Sequence, residues 1–115
     1  MKNIILLEAN EIPPRLIDDY VARQPDSALA KLVGSSRTYV SRCEDQIELD
    51  PWISWPTLHR GVIDKDHGIL HLGQSLDWAD RHYPPVWQLL QQANVRVGVF
   101  GSLHSSAVPE DAENY

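Results

Sequence analysis

Four consecutive apolar residues, Ile4-Ile5-Leu6-Leu7, end abruptly in the carboxylate of Glu8. A short run of that kind, with no polar alternation, predicts a strand covered on both faces, as in a parallel sheet. Parallel strands need crossover segments, usually helices, and the following residues offer one. Pro13 and Pro14 pre-set a helix start, because the N–H that proline lacks has no partner in a first turn anyway. Leu16, Ile17, Tyr20 and Val21 then recur at helical spacing, with Asp18, Asp19 and Arg23 on the opposite side, and Pro25 stops the segment. A second short helix is predicted from Ser27 to Val33, with Ala28, Leu29 and Leu32 inward and Gly34 closing it.

Residues 37–42, Arg-Thr-Tyr-Val-Ser-Arg, alternate well enough for a strand, and residues 46–49 extend that ribbon. Between Asp50 and Gly73 periodicity disappears. Prolines, glycines and tryptophans interleave with His59, His67 and His71, which predicts a loop-rich stretch of the kind that carries sites. Pro84-Pro85 opens a helix striped by Val86, Leu89, Leu90 and Ala93 and closed by Asn94. Residues 95–102 follow as a strand of nearly pure β-formers, and the tail from Val108 to Tyr115 is acidic and aperiodic. Strand, helix, strand, loop, helix, strand is the order of an α/β layered sheet with right-handed crossovers.

A length of 115 residues supports one domain at most. A sheet that stops at its fourth candidate strand suggests that residues 1–115 are the N-terminal part of a single larger domain. Sixteen acidic against ten basic residues give a net charge of −6, which argues against a nucleic-acid grip, since that needs a basic face. A single cysteine, Cys43, excludes an internal disulfide and any CxxC metal or redox motif. No apolar run approaches the length of a signal segment or a membrane span, so a cytoplasmic protein is expected. The edge rich in Val97, Val99 and Phe100 is expected to invite self-association.

Three features could carry chemistry. Glu8 ends the first strand, where open α/β sheets place ligands, and there it could bind a divalent metal or merely cap the next helix. Ser54 and Thr57 flank Pro56; a hydroxyl at a helix start lies in positive potential, which suits either a prepared nucleophile or a plain N-cap. The histidines are His59, His67, His71, His82 and His104. His67 and His71 have the i, i+4 spacing of a zinc-binding helix, but Gly68 rather than Glu follows His67, so the zincin pattern fails and structural roles are as open as ligation.

Four ordered pieces resemble the start of the alkaline phosphatase superfamily, in its type I phosphodiesterase/nucleotide pyrophosphatase branch. They are Ile4-Ile5-Leu6-Leu7-Glu8, Ser54-Trp55-Pro56-Thr57, Gly61-Val62 leading to Asp66-His67-Gly68-Ile69, and Val86-Trp87-Gln88-Leu89-Leu90 followed by Val95-Arg96-Val97-Gly98-Val99. The resemblance implies a three-layer αβα sandwich with a mostly parallel sheet, two divalent metals (commonly zinc), and hydrolysis of small-molecule phosphate esters through a Ser/Thr phospho-enzyme. It places Glu8 where the family has a metal-binding acid. It puts the nucleophile at Ser54, two residues before the proline, with Thr57 the alternative because the interval to Gly61 is about one helical turn short. Leu58 stands where a sulfatase has arginine, which disfavours formylglycine chemistry. The other reading is a non-catalytic relative acting as a binding module.

Overall fold

A computed structural model of the protein describes residues 3–45 and 50–106. The chain divides into two compact units, Met1–Arg42 and Cys43–Tyr115. The first contains α1 (Pro14–Arg23) and α2 (Ala28–Ser35); the second contains α3 (Pro51–Arg60), α4 (Asp64–His67), α5 (Asp77–His82) and α6 (Val86–Gln92).

In the first unit local chemistry sets the helix ends. Pro14 occupies the first turn of α1, and Arg23 sits in its last turn, where a cation meets the partial negative charge of the carbonyl end. Ser27 caps α2 by accepting the Ala30 N–H at 3.1 Å. Gly34 is helical rather than terminal, and α2 runs on to Ser35, whose hydroxyl donates back to the Lys31 carbonyl at 2.9 Å. Neither helix contains a buried residue.

The expected sheet is not there. The described residues form helices and turns with no strand, so the parallel-sheet αβα sandwich is corrected to an all-helical arrangement. The physical reason lies in what a strand requires. β-Propensity measures packing against neighbours on a pleated surface. Residues 4–7, 37–42 and 95–100 meet no such neighbour within their units. Ile4 and Ile5 are 91% exposed and Phe100 is fully exposed. Residues 46–49, the expected extension of the second strand, lie outside the described residues.

The second unit has a small core of Ile53, Ile69, Ala79 and Trp87, with Pro56 and Pro85 also fully buried. Fully burying one such large apolar side chain contributes about 1.5–3 kcal/mol. The stretch expected to be loop-rich instead holds α3 and α4, which pack on one another. Pro51 opens α3. Pro56, inside it, brings no N–H to the carbonyl four residues back, that of Trp52. Gly61 ends α3 at φ 68°, a left-handed conformation that Cβ-bearing residues seldom adopt, and its N–H closes onto the Thr57 carbonyl at 2.9 Å.

Candidate functional site

The site grows from the middle of α3. Thr57 follows Pro56, and its hydroxyl has two side-chain partners: Asp45 Oδ1 at 2.6 Å and His67 Nε2 at 3.0 Å. The proton positions follow from a third bond. Gly68 turns the chain at the end of α4 with φ 65°, which brings the Ile69 N–H back to His67 Nδ1 at 3.0 Å. Nδ1 is therefore an acceptor, so the neutral ring carries its proton on Nε2 and donates it to Thr57 Oγ1. The Thr57 hydroxyl donates in turn to Asp45. One direction of donation runs through the whole chain, from the Ile69 amide to the Asp45 carboxylate.

Asp45 gathers further donors. Its Oδ1 accepts the Asp64 N–H at 2.9 Å, one of the amides at the start of α4 that have no intrahelical partner, and its Oδ2 accepts the Cys43 thiol at 2.8 Å. Burial alone would raise the Asp45 pKa. Donation from Cys43, Thr57 and the Asp64 amide, with His67 adjacent, outweighs burial and holds the carboxyl below its ordinary value. His67 moves downward as well: burial disfavours its cation, Asp45 and Asp64 oppose that, and Arg60 and His104 add to it. Cys43 is pushed up, first by burial and then by its bond to the Asp45 carboxylate, so it remains a thiol.

Ser54 is placed differently. Its hydroxyl donates to the Asp50 carbonyl one turn back, at 3.0 Å, a local bond typical of serine within a helix. Glu8 belongs to the first unit, in a stretch without regular structure, and is half-buried. Of the histidines, His67 joins the Thr57 network. His59 is buried between Trp55 (centroids 5.8 Å apart, stacked) and Trp87 (4.9 Å, edge-on). His82 stacks on Trp78 at 4.5 Å. His71 is exposed. His104 lies in the turn at 101–106, with its Nε2 buried and without a hydrogen-bond partner.

Two zinc ions are what the resemblance implies, and the donor set can be tested against that. Among the described residues no group of three or more His, Cys, Asp or Glu side chains is assembled to hold a metal. Both oxygens of Asp45 and both ring nitrogens of His67 already have protein partners. The residues as arranged do not fit a metal shell, and no step is derived through one.

Several contributors had no signature in the sequence. Asp45 precedes Thr57 by twelve residues, across a segment with no period. The ion pair between Arg60 and Asp80, 2.6 Å apart, links α3 to α5 with the Arg60 side chain 1% exposed. The guanidinium also donates to the Tyr83 carbonyl at 2.6 Å. The i, i+3 placement of Thr57 and Arg60 at the end of α3 was the available hint. No family model, curated protein or solved structure matches the chain.

Proposed function

We propose that this chain contributes a hydroxyl nucleophile to the hydrolysis of small-molecule phosphate esters, and that the nucleophile is Thr57. The observation that carries the reading is the placement of Thr57 Oγ1 between a carboxylate that takes its proton and an imidazole N–H that fixes its orientation. The motif resemblance supplies the substrate class. Thr57 Oγ1 attacks phosphorus as its proton passes to Asp45 Oδ1, and the ester P–O bond breaks. The departing alkoxide takes a proton from water. Water then attacks the phosphothreonine at phosphorus, phosphate leaves, and the threonine oxygen recovers the proton from Asp45. His67 Nε2–H directs a lone pair of Oγ1 throughout and gains strength as charge builds on that oxygen. A carboxylate with a lowered pKa is a weak base, so what Asp45 contributes comes from its fixed position beside the hydroxyl.

The test is acid-quenched incubation of the protein with 4-nitrophenyl phosphate, followed by mass spectrometry. Phosphate covalently attached at Thr57, and absent in Thr57→Ala, is the expected result. Label at Ser54, or turnover unaffected by Thr57→Ala, overturns the assignment.

A second reading, a binding module, is favoured by one observation. Ile4, Ile5, Leu6 and Leu7 are all strongly exposed in a unit with no buried residue among its described residues. Contiguous apolar surface of that kind marks interaction sites, and a second copy of the chain is the simplest occupant. Among the described residues no helix is long and apolar enough to cross a membrane.

A further inference from the structure

The loop after α4 is held together by one side chain. Gly73, at φ 81°, turns the chain back, and the Gln74 carboxamide then takes up three backbone partners. Its Oε1 accepts the Leu70 N–H at 2.8 Å and the His71 N–H at 2.9 Å, and its Nε2 donates to the Gly68 carbonyl at 2.9 Å. Two amides need an oxygen and one carbonyl needs an N–H, so a single orientation of the carboxamide satisfies all three. The groups it holds belong to consecutive peptide units, 68–69, 69–70 and 70–71.

The first of these units reaches the Thr57 network. A peptide unit is planar and this one is trans, so the Gly68 carbonyl and the Ile69 N–H point in opposite directions. That N–H is the donor to His67 Nδ1. Gly68, at φ 65°, lacks the Cβ that would confine the unit to one orientation. We infer that Gln74 is a positioning residue for the Thr57 centre: by holding the Gly68 carbonyl it aims the Ile69 N–H at His67 Nδ1, and so keeps the imidazole proton on Nε2, against Thr57 Oγ1.

Rotation of the 68–69 unit would withdraw that donor and turn the carbonyl oxygen toward Nδ1, which favours a proton there. Nε2 would then be an acceptor and would compete with Asp45 Oδ1 for the Thr57 hydroxyl proton, so the single direction of donation would be lost. Polarisation works with orientation: the bond that Gln74 gives to the Gly68 oxygen strengthens the N–H at the other end of the same unit. The catalytic meaning of this arrangement rests on the reading of Thr57 as the nucleophile; the tautomer of His67 does not.

Nitrogen-15 NMR of the His67 ring reads this directly, at pH 8 where the lowered pKa leaves the ring neutral. Wild type should show Nε2 protonated and Nδ1 bare. Scalar couplings should cross both hydrogen bonds, from the Ile69 amide to Nδ1 and from Gln74 Nε2 to the Gly68 carbonyl carbon. Gln74→Ala should shift the tautomer ratio toward Nδ1–H by about two- to tenfold, the range of one net hydrogen bond. Gln74→Glu keeps an acceptor for the Leu70 and His71 amides but offers the Gly68 carbonyl an anion instead of a donor, so it should shift the ratio at least as far. A protonated Nδ1 in wild type, or an unchanged ratio in both variants, overturns the inference. So does a wild-type ratio in Gln74→Glu alone, which would reduce Gln74 to closing the loop. The wild-type couplings cover the case in which the variants do not fold: absence of either one also overturns it. None of these readings needs turnover, so a protein that forms no phosphothreonine would lose the nucleophile assignment and keep the tautomer result.

Discussion

Thr57 and Ser54 lie three residues apart on one helix, and what separates them chemically is the company of each oxygen. Ser54 spends its proton on its own helix, while Thr57 spends its on Asp45 and receives one from His67. Thr57→Ala is expected to lower phosphate-ester turnover by about 10³ or more. Ser54→Ala should cost only a few-fold, as steady-state kinetics would show; the opposite ranking would exchange their roles. Stability carries the same signature. Asp45, with its lowered pKa, contributes stability that is fully present above 3.8 and is lost as pH falls through the folded value. His67, also lowered, acts in the same direction at higher pH: the unfolded chain takes up its proton first, so stability declines as pH drops below 6.5. Urea midpoints measured from pH 8 to 2 should therefore fall on acidification, and Thr57→Val should flatten the part of the curve below 3.8 by removing a donor to Asp45. Arg60→Ala leaves Asp80 Oδ1 without its cation and the Tyr83 carbonyl without its donor, and a loss of about 3–5 kcal/mol in denaturant unfolding is expected.

At the scale of elements, α1, α2 and α6 were legible because proline starts and the Ser27 cap are local signals. The helix α3 was not. Two prolines and two tryptophans within six residues read as a broken segment. Yet Pro51 falls in the first turn, where it is favoured, and Gly61 closes the helix in the left-handed conformation. The candidate strands at 4–7, 37–42 and 95–100 failed for a different reason: such runs have the composition of strands, but pairing depends on a neighbour that composition does not specify. For the site, the sequence singled out Thr57 and His67 separately. It could not join them, because the connecting residue, Asp45, acts through space. Ile69 follows α4, two residues past its end. Its side chain is fully buried, so Ile69→Ala should cost about 2–5 kcal/mol, read from thermal or urea unfolding of the second unit.

On the scale of the whole molecule, the two units differ in what they bury. The second encloses a small core, whereas the helices of the first enclose none and Ile4 to Leu7 stand exposed. Sedimentation over a wide concentration range should show association that Ile5→Lys weakens; a monomer at all concentrations would remove the second-copy reading. The boundary between the units falls between Arg42 and Cys43, and Arg42 is exposed in a stretch without regular structure. Trypsin cutting there would give the second unit a new amino terminus formed by Cys43, whose amine and thiol on adjacent carbons condense with an aldehyde to a five-membered thiazolidine ring. The thiol that Asp45 now holds would thus become a unique handle for attaching a dye or a surface, and its rate of capture would report how firmly that carboxylate keeps it.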